Sequence, residues 1–343
     1  MSFGIVQVGV GLWGRGWAEI VARAQGFRLA AVVDSSKDAR AWAAADLGVP
    51  TFTSLERALA AVEAEAVLLA SPPSTHRPLA EAAFAAGRHV ITEKPLAPTL
   101  EDGAAIAKAA RAHGLVAMVS QNYRFRRQPR ELGRLVRGGT LGGLHAIRIE
   151  FRRDMRNRWI SPRDWRGRMP HPLLLDMSIH HVDLVRSITG RNVTEVDARG
   201  WPVGDSPFRH DPTAAALLTL ADGTVVSYYG TWGEALNRET SWNGDWELVG
   251  SKARATWTGA VNDAFRGTVA LEPFGRARTR VRTAPLRALD RLGVLHEARR
   301  AIREGVEPEC SATDNLQTLA TVLALARSTE QRSPVRVDTL GVA

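Results

Sequence analysis

The sequence predicts an α/β domain with a doubly wound parallel sheet over residues 1–121, followed by an α+β domain with a large, mostly antiparallel sheet over residues 122–343. Three observations carry that expectation. Short apolar runs alternate with alanine-rich helical stretches up to about residue 120. Beyond that point, β-type runs follow one another. And a Gly-x-Gly-x-x-Gly loop lies directly between the first apolar run and the first helical stretch.

In the first domain the strand-like runs are Ile5–Gly9, Leu29–Asp34, Ala66–Ala70, His89–Thr92 and Leu115–Ser120. Helical stretches lie between them, near Trp13–Ala24, Ser36–Leu47, Ser54–Ala61, His76–Ala86 and Thr99–His113. Ser36, Ser54 and Thr99 are placed to cap helix starts, and Gly48, Gly87 and Gly114 to end them. Strands that are apolar throughout belong to a parallel sheet covered on both faces. In the second domain a helix near Pro129–Arg137 leads to a strand at Leu144–Arg153, and a loop rich in arginine and tryptophan precedes a helix at Leu173–Thr189. Strands follow at Val193–Gly200, Ala214–Leu220, Val225–Thr231, Trp246–Gly250 and Arg254–Thr258, two of them joined by the hairpin turn Ala221-Asp222-Gly223-Thr224. The pattern leaves Gly275–Arg291 unplaced and puts a last amphipathic helix near Ala312–Ser328.

A chain of 343 residues is too long for one ordinary core, and a 45% hydrophobic content is ordinary for a globular protein. No apolar run approaches the roughly 20 residues that span a bilayer. The chain starts at once into a strand rather than an export signal, so no membrane partner and a cytoplasmic location are expected. A single cysteine, Cys310, excludes an internal disulfide framework and a cysteine zinc site. The net charge of +9 comes from arginines spread along the chain, without a nucleic-acid reader motif. It reads as solvated surface charge, and no nucleic-acid partner is expected.

The chemistry begins at Gly9-Val10-Gly11-Leu12-Trp13-Gly14. Gly9 permits a tight turn, Gly11 lets the backbone approach a pyrophosphate, and Gly14 allows close helix–strand packing. The pyrophosphate then meets free N–H groups at a helix N-terminus, a Rossmann arrangement. Asp34, 20 residues after Gly14, stands where a carboxylate holds the adenosine ribose hydroxyls and repels a 2′-phosphate. NAD is therefore expected over NADP, a preference that nearby Lys37 weakens. Ser71-Pro72-Pro73-Ser74-Thr75-His76 follows the strand Ala66–Ala70, at the sheet end where ligands bind. Glu93-Lys94-Pro95 ends the next strand, where Lys94 either stabilises charge on a substrate oxygen or is simply a surface lysine. On the later helix, Asp176 and His180 stand four apart and Asp183 three beyond, one face of an α-helix. A carboxylate beside an imidazole suits a general base, and a histidine satisfied in the core is the plainer alternative. His180 and His181 project about 100° apart around a helix, so no metal site is expected.

Together these motifs, with Asn122-Tyr123-Arg124-Phe125 and a tail from about Arg303 to Val337, resemble the Gfo/Idh/MocA family of oxidoreductases. The resemblance covers most of the chain except Gly259–Arg291. It implies an open sheet often used for oligomerisation, hence a homo-oligomer (dimer or tetramer), and a catalytic set of Lys94, Asp176 and His180. It implies cofactor contacts from Gly9, Gly11, Leu12, Trp13, Gly14, Asp34, Ser71, Pro72, His76, Glu93, Lys94 and Asn122. Its members act on sugars, inositols and related polyols or their oxidised forms. Tyr123, Arg124, Trp165, His171, Asp176 and His180 are then the expected substrate contacts. His171 stands in Met169-Pro170-His171-Pro172, where many members carry glycines. Arg156, Arg158, Arg163, Arg166 and Arg168 suit either a solvated loop, the plainer reading in an arginine-rich chain, or an acidic or phosphorylated sugar, and Trp159 and Trp165 either pack on a sugar ring or anchor the loop.

The expected reaction is hydride transfer between nicotinamide and a secondary alcohol or ketone. His180 accepts the hydroxyl proton, Lys94 stabilises the oxygen, and Asp176 orients His180 or binds a neighbouring hydroxyl. Two alternatives share the fold: a glycosidase using NAD transiently, and a non-catalytic NAD-binding regulator.

Overall fold

In the computed structural model, which describes residues 2–155, 165–204, 206–234 and 238–337, the first apolar run is strand β1 (Phe3–Val8), buried throughout. There follow α1 (Leu12–Arg23), β2 (Phe27–Val33), α2 (Lys37–Leu47), β3 (Thr51–Phe52), α3 (Leu55–Ala61), β4 (Ala66–Leu69), α4 (His76–Ala85), β5 (His89–Thr92), α5 (Leu100–Ala112) and β6 (Ala117–Val119). All the strand pairs are parallel, in the order β3-β2-β1-β4-β5-β6. The order reverses between β1 and β4, the switch point at which such sheets take their ligands. The expected caps hold. The side chains of Ser36, Ser54 and Thr99 accept from the backbone N–H groups of Ala39, Arg57 and Asp102. Gly48 ends α2 in the left-handed region at φ 65°. β3 escapes the sequence pattern because two residues are too few to show a period.

The later elements are α6 (Arg127–Arg137), β7 (Leu144–Arg152), α7 (Trp165–Arg168), α8 (Ser178–Thr189), β8 (Val193–Trp201), β9 (Thr213–Leu220), β10 (Val225–Thr231), β11 (Asp245–Gly250), β12 (Ala253–Ala260), β13 (Asp263–Pro273), β14 (Thr279–Val281), α9 (Asp290–Glu304), α10 (Ala312–Gln331) and β15 (Val335–Arg336). Nine strands form the second sheet, in the order β14-β13-β12-β11-β7-β10-β9-β8-β15. Among the described residues only β7 and β10 pair in parallel in this sheet. The predicted hairpin joins β9 to β10, with Thr219 opposite Val225 and Gly223 at φ 85°. One face of the sheet is packed: Trp246 and Trp257 stack at 5.8 Å, both buried. The other presents Leu217, Val225 and Tyr229 to solvent. Among the described residues, no helix is long and apolar enough to cross a membrane.

Two units result, and among the described residues the chain visits the first of them twice. Met1–Asn122 and Ala288–Leu319 belong to the first unit, Tyr123–Arg287 and Ala320–Thr339 to the second. The boundary expected after residue 121 is thus followed by a return. Within the first unit, Val119 N donates to Cys310 O at 2.8 Å, and Met118 bridges Ser311, so the returning segment lies along the β6 edge of the sheet. The return was illegible in the sequence because α9 carries a glycine and many charges. Its buried Val294, Ala298 and Ala301 do keep helical spacing.

Arg124, an expected substrate contact, is instead part of the second unit's interior. Its Nε and Nη2 each donate to Asp183 of α8 at 2.6 Å, a two-pronged ion pair with both side chains almost fully buried. The fork geometry of guanidinium and carboxylate selects this pairing. Asp183→Asn removes the charge that balances a buried guanidinium, and should cost about 3–5 kcal/mol in urea unfolding. The double variant Arg124→Met/Asp183→Leu should recover most of that loss; an equal loss in both would contradict a charge-balance role.

Candidate functional site

The glycine loop is shaped by what its residues lack. Gly9 has φ 91°, and a Cβ there would lie 2.8 Å from Ala70 C and O and from Ser71 N. A Cβ on Gly14 would lie 2.3 Å from the Gly9 carbonyl oxygen. Gly11 differs: nothing lies within 4 Å of its Cβ position. Gly9 and Gly14 are therefore required by the fold, and Gly11 leaves open the space that a bound pyrophosphate needs. Gly11 also caps α1 without a side-chain hydrogen bond, and Leu12 and Trp13 are exposed beside it. This cradle fits a dinucleotide.

Two side chains hold the loop. Gln7, a polar residue inside the apolar β1, donates from Nε2 to the carbonyls of Gly9 at 2.9 Å and Gly14 at 2.7 Å. Asp34, at the end of β2, accepts from Val10 N and Ser36 N, each at 2.8 Å. Each carboxylate oxygen can take about two hydrogen bonds, so one site per oxygen remains for the ribose hydroxyls assigned to it. Arg40 in turn donates to the Asp34 carbonyl at 2.7 Å.

Several expected cofactor contacts also make hydrogen bonds within the framework of the protein. His76 is fully buried: Nε2 lies 3.0 Å from the Ser71 carbonyl, while Nδ1 lies 3.0 Å from the Thr92 hydroxyl and 3.1 Å from the Leu96 carbonyl. Both ring nitrogens thus face the protein, and burial pulls the imidazole below the usual histidine range. The ring ties the Ser71 loop to the chain after Lys94, correcting its reading as a direct ligand. Ser71 Oγ meets Thr75 Oγ1 at 2.7 Å, and the Pro72 carbonyl accepts from Thr75 N at 2.9 Å, so this loop folds on itself. Glu93 accepts from Trp17 Nε1 at 2.6 Å and from Lys94 N at 3.1 Å, fixing α1 to the end of β5. Asn122 Nδ2 donates to Asp290 Oδ1 at 2.6 Å, at the start of α9. Lys94 is half-buried. Sequence reasoning missed Gln7, Trp17 and Asp290. Of these only Gln7 had a signal, a polar side chain in an apolar strand.

In the second unit, the helix expected at Leu173–Thr189 opens with a π-helical turn, Leu173–Met177, before α8. Asp176 lies in that turn, so the simple four-residue α-helical relation to His180 does not apply; such turns recur at functional sites. Asp176 meets Arg166 Nε at 3.4 Å. His180, almost fully buried, stacks on Tyr123 with ring centroids 4.2 Å apart and an interplanar angle of 7°. Arg126 Cζ lies 3.4 Å from the centroid of the same Tyr123 ring. A ring has two faces, so the guanidinium and the imidazole take one each, and the plane of His180 is fixed. His181 turns elsewhere, among Phe151, Tyr228 and Trp246. Burial lowers its pKa to about 3, leaving it a neutral core residue.

His171, expected in a substrate pocket, is bound by acids instead. Nδ1 lies 2.8 Å from Asp211 Oδ2, and Nε2 lies 3.3 Å from Glu330 Oε1. The hydrogen bond to Asp211 raises the ring above the usual histidine range against opposing burial, and Glu330 adds to it. Arg156, Arg158, Trp159, Arg163 and the side chain of Trp165 lie outside the described residues; Arg168 is exposed.

Gly14→Ala should cost about 1–3 kcal/mol in thermal unfolding through overpacking. Gly11→Ala should leave stability within about 0.5 kcal/mol yet weaken dinucleotide binding; a stability loss equal to that of Gly14→Ala would remove the distinction. His171 supplies a second measurement. Because its pKa is raised in the fold, its contribution is full below the unfolded value and is lost as pH rises through the folded value. The stability gap between the wild type and His171→Gln should therefore shrink from pH 5.5 to pH 8.5; a constant gap would contradict the coupling.

Residues 3–121 match the model of the oxidoreductase family with an NAD-binding Rossmann fold, and residues 130–256 that of the GFO/IDH/MocA C-terminal domain. A D-apiose dehydrogenase of Paraburkholderia graminis is 27% identical over 346 residues, covering 97% of this chain and 89% of its own. An inositol 2-dehydrogenase of Pseudarthrobacter chlorophenolicus is 30% identical over 270 residues, 74% of this chain and 76% of its own. An oxidoreductase of Agrobacterium radiobacter, solved with NAD+, L-tartaric acid and magnesium, has the same fold at TM-score 0.87 and 19% identity, over 98% of this chain and 99% of its own. With both units matched, the chain belongs to the GFO/IDH/MocA family of NAD-binding oxidoreductases.

Proposed function

We propose that the protein is a dehydrogenase that oxidises a secondary alcohol of a sugar, inositol or related polyol, or reduces the corresponding ketone. The observation that carries this reading is His180, a titratable ring held flat against Tyr123 and preceded by Asp176 on a π-helical turn. The names of the relatives, an apiose and an inositol dehydrogenase, support the substrate class. NAD is the proposed cofactor. Asp34 keeps a carboxylate at the end of β2, held by two backbone N–H groups, where a 2′-phosphate would be repelled.

The nicotinamide, when bound, supplies the hydride acceptor or donor. The role proposed for His180 is general base toward the hydroxyl proton, and that proposed for Lys94 is to stabilise negative charge on a substrate oxygen. Asp176 binds a neighbouring hydroxyl or steadies the imidazole. These roles need several adjacent hydroxyls on the substrate, as sugars and cyclitols provide.

The test is NADH absorbance during incubation with a panel of sugars and inositols. Steady production supports the dehydrogenase, and cleavage of a glycoside without net NADH would favour a transient-redox glycosidase. His180→Asn should lower kcat by about 10²–10⁴-fold while leaving the Kd for NADH nearly unchanged. Loss of both in equal measure would remove His180 from the chemistry.

A further inference from the structure

The segment that the sequence left unplaced ends at Arg291, the second residue of α9. Its guanidinium carbon lies 5.7 Å from the ring centroid of Trp13 and 5.4 Å from that of Trp17. A Cβ on Gly16 would lie 2.9 Å from Arg291 Nη1, so the glycine clears the surface of α1 for this side chain. Among the described residues Arg291 has no ion-pair partner, unlike Arg77, Arg134, Arg254 and Arg300, which each meet a carboxylate. Arg291 is thus a half-buried cation braced by two indoles and left without a counter-ion.

Its neighbours give the cation a direction. Trp13 stands in the first turn of α1, whose N-terminus carries a partial positive charge. Two positive features side by side repel unless an anion lies with them. The same turn has open space at Gly11 and two large apolar side chains uncovered, Leu12 at 63% and Trp13 at 41% exposure. Exposed apolar groups at the mouth of a cradle call for an occupant that covers them. A dinucleotide does both, with two phosphates for the charge and a ribose beside the indole.

We propose that Arg291 binds the dinucleotide pyrophosphate, with Trp13 and Trp17 as the platform that aims its guanidinium. The anion is then held by backbone N–H groups of α1 and by a side chain more than 270 residues further along the chain. This rests on the dinucleotide-binding role of the glycine loop, and the experiment separates the two ideas.

ADP-ribose, which carries the pyrophosphate, and adenosine, which lacks it, are titrated into the full chain while tryptophan fluorescence is followed. The wild type should bind ADP-ribose with an affinity that falls as salt rises. Arg291→Met should weaken ADP-ribose by about ten- to a hundredfold, flatten the salt dependence and leave adenosine unchanged. Arg291→Lys, which keeps the charge without the fork, should fall between. Thermal unfolding of the unliganded variants reads any folding defect; should the Met variant not fold, the Lys variant carries the same comparison. Unchanged ADP-ribose affinity, or equal weakening of adenosine, would overturn the role of Arg291. Failure of the wild type to bind ADP-ribose would instead overturn the cradle itself.

Discussion

The structure of the first unit depends on one close approach, α1 against the loop that precedes it. The Gly14 Cα packs so near the Gly9 carbonyl that no side chain fits between them. Gln7 seals the approach by donating to both carbonyls, and Asp34 holds the loop from the next strand. Once α1 is fixed, Trp17 reaches Glu93, and Glu93 sets the backbone at Lys94. Trp13 and Trp17 then present the faces on which Arg291 rests. A contact made possible by a missing methyl group thereby positions side chains from three separate stretches of sequence.

The framework was legible in the sequence because it is local. Ser36, Ser54 and Thr99 announce helix starts through hydrogen bonds made three residues away, and a period of apolar residues needs only its own segment. Direction is not local. His76, Asn122, Arg124 and His171 stand in the expected loops, yet each spends its polar atoms on a partner 5 to 168 residues distant in sequence. Motif spacing identifies the loop that meets a ligand; the rotamer within it is set by contacts the spacing does not contain.

His180 and His181 make the same point at adjacent positions. Neighbours on a helix face different surroundings, and surroundings decide chemistry. His181 is enclosed by aromatic rings, and desolvation keeps it uncharged at any physiological pH. His180 is stacked on Tyr123, a ring that also carries the Arg126 guanidinium. The π-helical turn before them has a related effect, since it resets the angular phase between Asp176 and the residues of α8. A heptad or wheel diagram drawn through the segment misplaces the carboxylate by assuming one unbroken helix.

The return of Ala288–Leu319 to the first unit bears on how the protein comes off the ribosome. Val119 and Cys310, joined by a backbone hydrogen bond, are separated by nearly two hundred residues. Closing so long a loop is slow, and contacts of high sequence separation delay folding. An N-terminal domain made of consecutive residues folds as soon as it emerges; this one stays unfinished at the β6 edge while eight of the nine strands of the second sheet, β7 to β14, are synthesised. During that interval the nascent sheet has an open strand edge, the feature that most invites mispairing. The cost of this topology therefore falls during synthesis, in the interval before the β6 edge is covered.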